Sequence, residues 1–121
     1  MKYRESEEMY LETILLLKTQ KASVRSIDIA VQLDYSRPSV SRAVNLLQNK
    51  GYILIDKSGE ISFTPKGEQR AKEIYDRHRI ITDVLIKIGA DESVAEDNAC
   101  RIEHVITEEL LVTLKTFLDN A

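Results

Sequence analysis

Cys100 is the only cysteine of the chain and His104 is one of its two histidines, with Glu103 beside it. On an α-helix, residues three and four apart share a face. A helical Cys100-Arg101-Ile102-Glu103-His104 would therefore present a thiolate, a carboxylate and an imidazole together. All three are transition-metal ligands. Further donors lie at Met9 and Glu12, three residues apart near the N-terminus, and at His78, between Arg77 and Arg79. Six such ligands would hold one ion generously, or two ions a few ångströms apart. Each residue also has an ordinary role open to it. Methionine fills irregular core gaps, an isolated cysteine is most often a small buried hydrophobe, and a lone helical glutamate is usually solvated. The shared turn is what lifts Cys100, Glu103 and His104 above that background.

The donor types bear on the metal. A thiolate and a thioether favour softer or later ions, whereas Mn(II) prefers carboxylate and imidazole. Cys100 and Met9 therefore favour Fe(II), with Mn(II) as the alternative. Co(II), Ni(II) and Zn(II) are expected to bind in vitro, since they stand above both in the Irving–Williams order. Two other chemistries compete. Arg101 could stabilise a Cys100 thiolate as a metal-independent redox switch. Metal-assisted hydrolysis would need an open ligand position and a substrate pocket. The chain has no glycine-rich phosphate loop and no second ionisable cluster, so enzymatic activity is not expected. A purely structural interaction module would leave the Cys100 cluster unexplained.

The elements that must carry these residues can be read from punctuation and apolar spacing. Ser6-Glu7-Glu8 has a capping serine and two acids suited to a helix start. An apolar stripe of Tyr10, Ile14, Leu15 and Leu17 runs to about Lys18. A second helix is expected from Val24 or Ser26 to Leu33, with Ile27, Ala30, Val31 and Leu33 facing inward. After the turn Asp34-Tyr35-Ser36, a third begins near Arg37-Pro38, where proline is tolerated in a first turn. It buries Val40, Val44 and Leu47 and ends at Asn49-Lys50-Gly51. Tyr52–Ile55 and Ile61–Phe63 read as short strands around the loop Asp56-Lys57-Ser58-Gly59-Glu60. Thr64-Pro65-Lys66-Gly67 opens a long helix to about Ile88, stopped by Gly89. A fifth runs from Glu92 or Ser93 to about Ile106. Thr107 caps a sixth, with Leu110, Leu111, Leu114, Phe117 and Leu118 as its apolar residues and a candidate dimer surface.

Three helices followed by a hairpin make the order of a winged helix-turn-helix, mainly α with a small β-wing. In that motif the helix after the turn enters the major groove N-terminus first. Here its opening offers Ser36, Arg37, Ser39, Ser41 and Arg42 to double-stranded DNA, with Asn45 further along. Arginine is the usual bidentate partner of guanine. Lys57, at the wing tip, suits a phosphate and would position rather than specify. The plain alternative is a small helical domain with two solvated arginines. The expected domains are residues 1–70 for DNA binding and 71–121 for a helical metal-binding and dimerisation part.

Charge permits this reading. The net charge is −3, but residues 1–79 carry a surplus of three positive charges and residues 80–121 an excess of six negative ones. Local field matters more than the total for an anionic partner. A single cysteine suits a reducing cytoplasm. The polar start Met1-Lys2-Tyr3-Arg4-Glu5-Ser6 is unlike a signal peptide, and no apolar run reaches membrane-spanning length.

On these residues the chain resembles the diphtheria-toxin-repressor family of metal-dependent transcriptional regulators, which has iron and manganese branches. The likeness covers about residues 6–118. It is strongest at Glu8-Met9-Tyr10-Leu11-Glu12-Thr13-Ile14, Ser39-Val40-Ser41, Thr64-Pro65-Lys66-Gly67, Arg77-His78-Arg79 and Ala99-Cys100-Arg101-Ile102-Glu103-His104-Val105. The resemblance implies that Met9, Cys100, Glu103 and His104 match the activating site of the iron branch. Glu12 and His78 match ligand positions of the manganese branch, His78 being shared by both. Two positions depart from the iron branch's ancillary site: Thr82 stands where a glutamate is expected and Glu96 where a histidine is. Asp83 is one residue out of register. The iron branch also has a C-terminal barrel domain that 121 residues would not accommodate, so the length is expected to be nearer the manganese branch. By the same resemblance the protein is expected to be a homodimeric repressor of metal-homeostasis genes at a palindromic operator.

Overall fold

The structure is a computed structural model and describes residues 7–120; the Ser6 cap lies outside them. The chain divides into two compact units, residues 7–72 and 73–120. The first holds α1 (Glu7–Gln20), α2 (Ser26–Leu33), α3 (Arg37–Asn49), β1 (Ile53–Ile55) and β2 (Ile61–Phe63). The boundary falls inside α4 (Pro65–Lys87). The second unit carries the remainder of α4, then α5 (Glu92–Ile102) and α6 (Glu108–Asp119). Among the described residues no helix is long and apolar enough to cross a membrane.

In the first unit α1, α2 and α3 pack on one another, and α3 packs on β1. Leu11, Ile14, Val24, Ile29, Val40, Val44, Leu47, Ile53 and Ile61 are fully or almost fully buried. Each such side chain contributes roughly 1.5–3 kcal/mol by leaving water. The α2–α3 turn is closed by Asp34, whose φ of 57° is left-handed, and by a Tyr35 N–H donated to the Ala30 carbonyl at 3.1 Å. Ser36 caps α3, its hydroxyl accepting the Ser39 N–H at 3.3 Å. β1 and β2 pair antiparallel with Leu54 opposite Ser62. The segment before α2 joins the wing, since the Ile61 N–H donates to the Val24 carbonyl at 2.8 Å.

The Thr64-Pro65-Lys66-Gly67 turn locks the wing's return onto the start of α4. The Thr64 hydroxyl lies 2.6 Å from the Gly51 carbonyl and 3.1 Å from that of Tyr52, and it accepts the Gly67 N–H at 3.1 Å. Lys66 Nζ sits 4.6 Å from the centre of the Tyr52 ring, a cation–π contact.

Two expectations need correction. In α2, Ile27 and Val31 are exposed, at 39% and 76%, and the buried pair is Ile29 and Ala30. In α5, the helix ends at Ile102 rather than near Ile106. Glu103 is its C-cap and His104 lies in the following turn. The end is fixed from another helix: the Arg77 guanidinium on α4 donates to the Glu103 main-chain carbonyl at 2.7 Å. That satisfies one of the carbonyls a helix terminus leaves without an intrahelical partner.

Candidate metal centre and nucleic-acid face

In the second unit one donor atom each from His78, Cys100 and Glu103 lies within 4.8 Å of the others. His78 comes from α4, Cys100 from the last turn of α5 and Glu103 from its cap. Glu103 is the hub and is fully buried. A carboxylate in that position is costly unless it is paired and hydrogen-bonded. Its Oε2 faces His78 Nδ1 at 2.8 Å, and its Oε1 lies 3.2 Å from His104 Nε2. The second nitrogen of His78, Nε2, meets Glu96 Oε2 at 2.7 Å. His78 therefore stands between two carboxylates.

The donors fit a divalent transition metal. Ligands at about 2.0–2.3 Å from an ion lie roughly 3.3–3.8 Å apart in a tetrahedron, so the observed set needs adjustments of about an ångström or less. Thiolate, imidazole and carboxylate are the types such ions take. His104 touches Glu103 but stands outside the His78 group. The broken helix end, not a shared helix face, sets that arrangement.

Met9 and Glu12 lie one turn apart on α1, in the first unit, and both are buried. The Met9 thioether receives the Tyr35 hydroxyl at 3.7 Å, and the Thr13 hydroxyl donates to the Met9 carbonyl at 2.8 Å. Two contacts of the donor cluster are not announced by the sequence: that of Arg77 with the Glu103 carbonyl and that of Glu96 with His78. The partners are distant in sequence, so no local pattern marks them.

On the first unit, Ser36, Arg37, Ser41 and Arg42 are exposed at the start of α3 and Ser39 is half-buried. Ser36, Ser39 and Arg42 form a small polar network: Ser36 Oγ meets Ser39 Oγ at 3.0 Å, and Arg42 Nη2 donates to Ser39 Oγ at 3.4 Å. Ser26, Ile27, Arg37 and Ser41 line an open groove of about 390 Å³ between α2 and α3. Lys57 is exposed at the wing tip. Asp56 shapes that tip, its Oδ1 accepting the Ser58 N–H at 2.9 Å, the Ser58 hydroxyl at 2.7 Å and the Glu60 N–H at 2.9 Å. These bonds, that of the Ser58 hydroxyl first, hold the Asp56 carboxyl below its usual range. Arg25, also unremarked in the sequence, ties the tip to the start of α2 by donating from Nε to the Ser58 carbonyl at 3.1 Å.

A helix-turn-helix with a hairpin wing, followed by a helical unit bearing a metal-type donor cluster, defines a class of DNA-binding regulator. Two family profiles match in that order. "Iron dependent repressor, N-terminal DNA binding domain" covers residues 2–60, and "Iron dependent repressor, metal binding and dimerisation domain" covers residues 64–121. The chain is 32% identical to an uncharacterised HTH-type transcriptional regulator of Methanocaldococcus jannaschii, over 96% of this chain and 94% of that one. It is 31% identical to the transcriptional regulator MntR of Salmonella typhimurium, over 95% of this chain and 71% of the relative. It is 32% identical to the diphtheria toxin repressor of Corynebacterium diphtheriae, over 88% of this chain and 47% of the relative. The structure of the manganese regulator SloR superposes with a TM-score of 0.83 at 26% identity, covering 100% of this chain and 56% of SloR. The chain thus spans about half the length of SloR and of the diphtheria toxin repressor. It belongs to the diphtheria-toxin-repressor family of metal-dependent transcriptional regulators. Members of that family are DNA-binding regulators, not enzymes, and membership weighs against the metal-independent redox reading of Cys100.

Proposed function

We propose that this protein is an Fe(II)-activated, homodimeric transcriptional repressor of metal-homeostasis genes, acting in the cytoplasm on a palindromic operator. The observation that carries the reading is the convergence of His78, Cys100 and Glu103 within 4.8 Å in the segment matched by the metal-binding profile. Residues 1–70 form the DNA-binding domain and residues 71–121 the metal-binding and dimerisation domain. Met9 and Glu12 complete the ligand set with His78, Cys100, Glu103 and His104. Bound there, the metal would supply coordinate bonds to these donors. Ser36, Arg37, Ser39, Ser41 and Arg42 then meet base edges and backbone in the major groove, and Lys57 meets a phosphate. In a dimer the two α3 helices must stand about 34–36 Å apart to enter successive grooves. Ligation selects that spacing by its differential affinity for the competent arrangement.

A second reading, Mn(II) at a site that could hold two ions, is favoured by one observation: both nitrogens of His78 face carboxylates. Oxygen-rich surroundings suit the harder ion. Anaerobic calorimetry with Fe(II) and with Mn(II), beside operator binding followed by fluorescence anisotropy, separates the two. The operator would first be selected from a random duplex pool. Fe(II) binding that collapses in Cys100→Ala, with operator affinity lost in His104→Ala, is expected. Two Mn(II) per protomer, indifferent to Cys100, would establish the second reading. Operator binding unaffected by chelator would sink both.

A further inference from the structure

We infer that Glu96 is a positioning residue for the metal centre: it holds Nε2 of His78 so that Nδ1 faces the ion beside Glu103 and Cys100. This role rests on the metal-centre reading above. An imidazole ligates through one nitrogen, and the hydrogen bond made by the other sets its tautomer and orientation. In His78 that division is already drawn. Nε2 is engaged by Glu96 at 2.7 Å, and Nδ1 points to Glu103 at 2.8 Å. An Nε2–H donated to Glu96 leaves the Nδ1 lone pair on the side where the cysteine and the buried carboxylate converge. A divalent ion entering between Nδ1 and Glu103 would take up that lone pair, while the bond to Glu96 persists.

Helical spacing places Glu96 where this requires. It is four residues before Cys100 on α5, so both lie on one helix face, and Glu96 forms the solvent side at 49% exposure while His78 is only 12% exposed. Helix-end electrostatics does not account for an acid at this position. Glu96 is beyond the first turn of α5, where the helix dipole would reward a negative charge. Among the described residues it is also outside every group of donor atoms that meet within 4.8 Å. Thr82, one turn beyond His78 on α4, is buried and brings no charge that could take over the task.

The test uses the full chain with Co(II) and Zn(II) as probes. The Co(II) thiolate charge-transfer band reports whether Cys100 ligates, and long-range 1H–15N spectra of the Zn(II)-loaded protein report which nitrogen of His78 is metallated. In the unsubstituted protein Nδ1 is expected to carry the metal and Nε2 a slowly exchanging proton. Glu96→Ala should weaken Co(II) binding about 10–100-fold, with the thiolate band unchanged at saturation and the Nε2 proton lost to fast exchange. Glu96→Gln, whose amide oxygen still accepts, should recover most of the affinity. Affinity within twofold of the original in Glu96→Ala overturns the role, as does metallation at Nε2. A Gln variant as weak as the Ala variant, with an altered cobalt spectrum, would make Glu96 a ligand instead. Absence of the thiolate band from the unsubstituted protein would overturn the metal centre itself, and this role with it.

Discussion

Gly67 has no room for a side chain: a Cβ there would stand 1.8 Å from the Tyr52 carbonyl oxygen. The atom it would strike is backbone, held in place by the Thr64 hydroxyl, so the clash cannot be relieved by a rotamer change. Gly67→Ala is expected to cost about 2–3 kcal/mol or more, read as a fall in the urea midpoint. A loss below about 0.5 kcal/mol would show that the contact relaxes freely. The residue types of the donor cluster are legible in the sequence because cysteine and histidine are so rare in this chain. The partners of His78 are not. Glu103 and Glu96 reach it across 25 and 18 residues of sequence, and such pairings leave no periodic trace.

Elements marked by strong punctuation are legible in the sequence, and those without it are not. Pro38 and Gly51 bracket α3, and its buried residues Val40, Val44 and Leu47 are the ones its spacing predicts. α2 is only eight residues long, with Ile27, Ile29, Ala30 and Val31 crowded together, so its period cannot choose a face. Nothing between Ile102 and Thr107 stops a helix, and the true stop is supplied from α4 by Arg77. The start of α2 offers a test at this scale. Asp28 Oδ2 accepts the Arg25 N–H at 2.8 Å, and its other oxygen meets Lys21 Nζ at 2.6 Å. The Lys21 hydrogen bond, then that from Arg25, lowers the Asp28 pKa below its ordinary value of 3.8. A carboxylate whose folded pKa is depressed stabilises above its unfolded pKa and loses that contribution as pH falls through the folded one. Asp28→Ala should therefore cost about 1 kcal/mol at neutral pH. The gap should stay constant down to about pH 5 and close only in stronger acid. A gap already closing at about pH 6 would assign the effect to another group.

At the scale of the molecule, the two units divide the labour their charges suggest. Residues 7–72 carry 10 Lys and Arg against 8 Asp and Glu, and residues 73–120 carry 5 against 11. The second unit leaves one helix uncovered: α6 has no buried residue, and Leu110, Val112 and Phe117 are each more than 40% exposed. The segment that carries them matches a dimerisation domain. If pairing covers that helix, folding of the segment becomes subject to mass action, and dilution acts on it as a denaturant does. Each tenfold dilution would remove about 1.4 kcal/mol per dimer. Thermal unfolding followed across a hundredfold range of protein concentration should show a midpoint that climbs with concentration; a constant midpoint would mean that α6 is stable uncovered. Copy number would then set the fraction of finished protein before any metal arrives.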